Sequence, residues 1–226
     1  MATIEGTNDD EVLAGTKAQD TINGNGGDDT IEGGPAADVL EGGFGHDSIN
    51  GEAGADEIYG GGGSDTISGG SQNDTISGGN GNDSLTGEGG NDVIDGDAGG
   101  DTIRGYRGND TLEGGAGADE IFGGRGKDML FGGDGNDYLN GGMDDDTLMG
   151  NAGNDEAVGG GGEDTFIFSG NFEDYEFSFS AGVLVSNDLE GNDGRDTLRS
   201  IEELVFADGR AEIDGGDIIF IPDEIA

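Results

Sequence analysis

Cysteine and tryptophan are absent from this chain, histidine occurs once, and Lys and Arg together number 8 against 51 Asp and Glu. Without thiols there is no disulfide framework and no thiolate metal site, and His46 alone cannot build a His-rich zinc centre. No H-E-x-x-H stretch exists, which excludes that zinc protease chemistry. A net charge of −43 argues against nucleic acid as a partner. Residues 1–10 carry neither a basic n-region nor an apolar h-region, so a conventional cleaved signal peptide is not expected. No apolar run is long enough to cross a bilayer. Hydrophobic residues are scarce too, at 31%, and that balance of charge and hydrophobicity ordinarily gives a disordered chain.

What is abundant is placed periodically. An acid stands at every ninth position from Glu11: Asp20, Asp29, Asp38, Asp47, Asp56, Asp65, Asp74, Asp83, Asp92, Asp101, Asp110, Asp119, Asp128, Asp137, Asp146, Asp155 and Asp164. A glycine follows four residues after each acid, from Gly15 to Gly159. An aliphatic follows two residues after each, from Leu13 to Leu148, with Ala157 and Phe166 departing. The unit is G-x-x-G-x-D-x-U-x, where U is aliphatic. Flexible linkers do not hold Ile or Leu in register; a fixed short period marks a solenoid.

The first six places are turn formers, with Gly, Asn and Asp where positive φ is tolerated. The last three, as in Thr30, Ile31 and Glu32, read as a short strand with its aliphatic pointing inward. Two nonapeptides then make one coil, with turns at opposite edges. Each strand pairs in parallel with the strand eighteen residues later, about 4.8 Å away. Two branched aliphatics per coil are a thin core, so stacking alone leaves the turns needing a second tie.

The stacked acids supply the reason for one. Carboxylates at that spacing repel, and the folded form requires a cation. One carboxylate and several uncrowded carbonyls per turn form a hard, oxygen-only donor set, which suits Ca²⁺ better than Mg²⁺. The candidate ligands are the column aspartates Asp20 to Asp164, with ions between successive turns of one edge, at most about 16 in all. The two edges differ. Along the edge of Asp29, Asp47 and their successors to Asp155, place four is always glycine and place two is Gly, Asn or Asp. The edge of Asp20 carries Ala18, Ala36, Gln72 and Asp144 at place four, and Thr16, Glu52, Glu88 and Tyr106 at place two. A Cβ is costly at positive φ, so the Asp29 edge is expected to be regular and fully loaded, and the Asp20 edge weaker near those turns.

The repeats GGFGHDSIN (Gly42–Asn50), GGNGNDSLT (Gly78–Thr86) and GGDGNDYLN (Gly132–Asn140) resemble the hemolysin-type calcium-binding repeat of the RTX family. The likeness covers Gly6 to Ile167. It implies an all-β, right-handed parallel β-roll, calcium-driven folding, and export from bacteria by type I secretion machinery to an extracellular location. It also places the metal-binding aspartate on each column residue from Asp20 on, whereas Glu11 departs from the pattern. In plan the chain is similar to rhizobial nodulation protein O.

Beyond Asp164 the period stops, which divides the chain into a roll, 1–164, and a β-rich cap, 165–226. Thr165–Phe168, Tyr175–Phe179, Gly182–Val185, Val205–Phe206 and Ile218–Ile221 read as strands, and Ser200–Leu204 as a helical turn. The tail is expected to fold back over the outward apolar residues Phe122, Met129, Phe131, Tyr138 and Met149. Gly194–Asp208 resembles tails that follow RTX repeats in secreted proteins, and in that family the uncleaved C-terminus carries the export signal. Nothing in the chain assembles a nucleophile, base and cleft, so no enzyme activity is expected. His46 reads as a solvated turn residue. Two other contacts stay open: a membrane or polysaccharide surface met by exposed aromatics near the tail, and an ice-binding array in the outward row Thr30, Ser48, Thr66, Ser84 and Thr102.

Overall fold

The computed structural model describes residues 1–189, 191, 193–214 and 217–222. The extreme end of the expected export signal, 223–226, lies outside them. Residues from Thr3 to Ile167 form a parallel β-solenoid of about nine turns, with almost no helix. Alternate strands fall into two sheets of 13 and 12 strands. Register holds at the expected spacing throughout: Thr3 pairs with Thr21, Ile22 with Leu40, and Leu148 with Phe166.

Strands in the middle of the roll are six residues long, as in Thr66–Ser71 and Tyr138–Met143, rather than three. Pairing runs on through the first places of the next repeat, because glycine at place two takes the positive φ, 104° at Gly70 and 112° at Gly142, that lets the ladder continue there. The inward aliphatics from Ile22 to Leu148 are at most 2% exposed, and they form one column per sheet. At the first coil, Ile4 and Leu13 have a neighbour on one side only and are half-buried.

The tail departs from expectation in two respects. It does not fold back over the outward apolar residues; it extends both sheets end-on. Thr197–Arg199 adds in parallel to Glu156–Gly161, and Val183–Asp188 and Tyr175–Ser180 follow in antiparallel. On the other sheet Glu203–Phe206 pairs in parallel with Thr165–Ile167, then Gly209–Asp214 and Asp217–Pro222 follow in antiparallel. The exposed end of the aliphatic columns is a stronger attractor than a half-polar outer face, because apolar surface is most concentrated there. An aromatic cluster seals it: Phe168 stacks on Phe206 at 4.9 Å, and Phe172 stacks on Phe220 at 4.6 Å. Second, Ser200–Leu204 makes no helical turn; residues from Glu203 are strand, and the one short 3₁₀ turn among the described residues is Phe172–Asp174.

Candidate metal centre

Each column aspartate sits at the last place of a turn, held by the coil behind it. Asp29 N–H donates to Asp47 Oδ1 at 2.8 Å, Asp47 N–H to Asp65 Oδ1 at 2.8 Å, and the series runs on along this edge to Asp137 and Asp155 at 2.8 Å. The other edge repeats it, with Asp38 N–H to Asp56 Oδ1 at 2.7 Å. One carboxylate oxygen thus ties coil to coil. The second is left over: Oδ2 of all sixteen aspartates from Asp29 to Asp164 is buried and has no hydrogen-bond partner. An unpaired buried acceptor costs about 1–3 kcal/mol, and a charged one more.

Those oxygens face a common kind of space. A Cβ placed on Gly24 would lie 2.3 Å from Asp29 Oδ2 and 2.5 Å from the Gly42 carbonyl oxygen of the next coil. On the opposite edge a Cβ on Gly51 would lie 2.6 Å from Asp56 Oδ2 and 2.5 Å from Gly69 O. Glycine at place one therefore preserves a cradle where a carboxylate oxygen and a carbonyl oxygen converge. Among the described residues no three His, Cys, Asp or Glu side chains cluster about a point that would hold a metal. Backbone carbonyls must therefore supply most of a cation's ligands here. The donor set fits calcium, which takes six to eight oxygens in flexible geometry.

Electrostatics point the same way. Burial pushes Asp74, Asp101, Asp137 and Asp146 up to about 7, against the repulsion-free carboxylate value of 3.8. A carboxylate buried with its charge unanswered holds a proton until a cation replaces it.

Asp20 is arranged differently from its successors. Its Oδ2 accepts from Thr16 N–H at 2.6 Å and Thr16 Oγ1 at 2.7 Å, and Oδ1 accepts from Ala2 N–H. The Thr16 hydroxyl holds its carboxyl below the ordinary value. Glu11 likewise has both oxygens engaged by Thr7.

The two edges differ locally. Glu52, Gln72, Glu88, Tyr106 and Asp144 take positive φ on the Asp20 edge, against only Asn25, Asp97 and Asn151 on the other. At the Asp38 turn the cradle is wider, with Asp38 Oδ2 and Gly51 O each 3.1 Å from a Cβ on Gly33. At Gly69, Gly87 and Gly141 on the same edge the three atoms nearest an added Cβ all belong to Asp74, Asp92 and Asp146, with no carbonyl oxygen among them, whereas on the other edge only Gly150 shows that pattern. His46 is an exposed turn residue whose Nδ1 accepts from Ser64 N–H at 2.7 Å.

Sequence periodicity missed two acids. Asp155 N–H donates to Asp196 Oδ1 at 3.1 Å, and Asp164 N–H to Glu202 Oε2 at 2.9 Å. Asp196 and Glu202 thus continue the two acid columns into the tail. Their offsets of 41 and 38 residues hide them from a period of nine. The signal was there in another form, since Asp196, Thr197 and Leu198 repeat the acid–Thr–aliphatic order of the roll.

The family model for the RTX calcium-binding nonapeptide repeat matches residues 5–40, 32–67, 68–103, 95–130, 104–139 and 140–171. A comparison with curated proteins gave no match, so the likeness to nodulation protein O rests on plan alone. Since the matches span most of the chain and fall on coils with an orphaned carboxylate oxygen and a glycine cradle at each turn, the chain belongs to the RTX calcium-binding nonapeptide repeat family.

Proposed function

We propose that this chain is a non-catalytic, extracellular interaction protein of bacteria, exported by type I secretion machinery and folded by calcium once outside. The single observation that carries this reading is the row of sixteen buried Oδ2 atoms without partners. When bound, calcium supplies positive charge at the turns and removes the repulsion between stacked carboxylates. The chain's own residues do the rest. Oδ1 of Asp29 to Asp164 fixes each turn to the coil behind it, Oδ2 is a ligand, and the place-one glycines leave the space. The Asp29 edge fills first, because fewer of its turns force a long side chain through positive φ. Asp20 binds weakest, its oxygens being already engaged.

Sites of the extracellular class have Kd values of roughly 10⁻⁴–10⁻³ M, far above cytosolic calcium, so the chain stays loose and threadable inside the cell. Outside, binding free energy becomes folding free energy. The division into a roll, 1–164, and a cap, 165–226, suits that sequence of events, with the cap also carrying the export signal. Small-angle X-ray scattering tests the reading. In chelator the radius of gyration should be near the unfolded value, about 50 Å for this length, and calcium should cut it to well under half, toward the compact value of about 17 Å. A chain equally compact in both would overturn it.

A second reading is favoured by one group of residues. Arg104 lies over the Phe122 ring at 5.0 Å, and Phe122 packs against Tyr138 at 5.7 Å. Beside them Arg107 and Arg125 are register partners with no ion-pair partner among the described residues. On so acidic a chain this Arg–aromatic face suits an anionic polysaccharide surface. Loss of glycan retention in Arg107→Glu/Arg125→Glu, with calcium binding unchanged, would support it; retention equal to wild type would remove it.

A further inference from the structure

The outer face of the 13-stranded sheet changes character where the roll meets its tail. Inward places there hold Leu130, Leu148, Phe166 and Leu204, all at most 1% exposed, so the residue after each faces outward. In that outward row Asp95 pairs with Glu113, Glu113 with Phe131, and Phe131 with Met149. Leu148 pairs with Phe166, which sets Met149 beside Ile167. Ile167 then pairs with Val205, Val205 with Arg210, and Arg210 with Ile221. From Phe131 to Ile221 the row is apolar except at Arg210, and it crosses six neighbouring strands. At the spacing of strands in a sheet it is about 24 Å long. Met129 and Ile219 flank it on the same face, 45% and 50% exposed.

Among the described residues no element crosses this stripe, because the tail lengthens it instead of covering it. A contiguous apolar surface of this kind marks a docking site. Its border is acidic. Glu113 closes one end, and along one side Glu203 and Glu212 join Asp145 and Glu163 around a cleft of about 460 Å³. The nearby cations are already engaged, Arg210 with Glu203 at 3.2 Å and Lys127 with Asp145 at 2.6 Å. Glu113 and Glu212 are exposed and have no ion-pair partner among the described residues. Charge therefore selects the occupant. A second copy would bring a net charge of −43 against this border, and an anionic lipid surface would be repelled in the same way.

We propose that this stripe docks a cationic amphipathic helix of a partner protein. The helix lays its apolar face along Phe131 to Ile221 and sets Lys or Arg over Glu113 and Glu212. A helix of about 16 residues matches the length of the stripe. The proposal rests on the interaction reading above and deepens it by naming the partner's chemistry. The stripe lies on the sheet opposite that of Arg104 and Phe122, so the two surfaces do not compete.

The test uses the full chain in saturating calcium, with circular dichroism recording the roll. The probe is a labelled synthetic helix of leucine and lysine, about 16 residues long, followed by fluorescence anisotropy. Met129→Ser/Met149→Ser changes no charge and should weaken binding at least about tenfold. Glu113→Gln/Glu212→Gln should weaken it about threefold and flatten its salt dependence. A glutamine and lysine peptide of equal charge should bind wild type at least about tenfold more weakly, which separates docking from general attraction to an acidic chain. Equal affinity for the two peptides, or wild-type affinity in either variant, would overturn the docking site. If the double methionine variant loses β structure, Met129→Ser decides alone. A dimer in calcium that Met129→Ser/Met149→Ser makes monomeric would give the stripe to a second copy and overturn the proposal. Binding to phosphatidylcholine vesicles as tight as to the helix would overturn it in favour of a lipid surface. A folded chain that leaves the leucine and lysine helix unbound would remove this site and leave the calcium-folded roll intact.

Discussion

Asp65 N–H donates to Asp83 Oδ1 at 2.7 Å, while Asp83 Oδ2, in the same carboxylate, has no partner at all. On the calcium reading proposed above, the two oxygens have separable tasks, one structural and one for a ligand. Asp83→Asn keeps an acceptor for the Asp65 amide but loses the charge. Asp83→Ala loses both and strands a buried N–H, at a further cost of about 1–3 kcal/mol. The calcium midpoint should therefore rise in the order wild type, Asn, Ala, as read by a titration of β signal. Equal midpoints for Asn and Ala would deny the structural task of Oδ1.

Two glycines separate the demands of place four from those of an open place. A Cβ on Gly99 would lie 1.3 Å from the Gly81 carbonyl oxygen, at a φ of 146°, whereas Gly89 has nothing within 4 Å. Gly99→Ala should cost about 3 kcal/mol or more, and Gly89→Ala should stay within about 0.5 kcal/mol of wild type. Calcium-dependent thermal unfolding measures both. Comparable losses would mean that the coils are not packed at these distances.

Much of this was legible in the sequence, and the reason is physical. A strand of period two beside a turn of fixed length leaves an acid, a glycine and an aliphatic each with one permitted place, so register, core and turn chemistry all show in the letters. The tail lacks that redundancy. Asp196 and Glu202 occupy column places by three-dimensional fit after loops of unequal length, and no spacing announces them. The outward apolars Phe131 and Met149 suggested a docking face, but burial is greater at the open end of the core. There Phe166, Phe168, Tyr175 and Phe206 meet. Strand length was underread because glycine looks like a breaker, while here it is the residue that lets pairing continue.

Protons should compete with calcium in a direction set by burial. Asp74, Asp101, Asp137 and Asp146 stand at about 7, and Asp56, Asp65, Asp92, Asp110 and Asp155 at about 6, all above the ordinary 3.8. Between about pH 4 and 7 the folded roll thus holds more protons than the unfolded chain. Their stabilising contribution is fully present below about pH 4 and is lost as pH rises through about 7. In chelator, β structure should increase on acidification from about pH 7.5 to 5.5, while calcium affinity falls over the same range. A metal-free chain that loses order on acidification would contradict this.

The strained turns of the Asp20 edge offer a gain. Gln72 and Glu88 hold φ of 83° and 74°. Gln72→Gly and Glu88→Gly should each stabilise the loaded roll by about 1 kcal/mol. Asn25→Gly on the other edge should change it by only a few tenths, about 0.3 kcal/mol, because asparagine tolerates this region. Melting temperatures at fixed calcium report the difference, and a gain at Asn25 equal to that at Gln72 would remove the contrast between the edges.

The most direct test of calcium-driven folding is far-UV circular dichroism of the whole chain through a calcium titration, with magnesium as the control and chelator to reverse it. The account predicts a cooperative change from coil to β that calcium produces, magnesium does not, and chelator undoes. A chain with full β signal in chelator would contradict it, since the thin aliphatic columns would then suffice without an ion at Asp29 to Asp164.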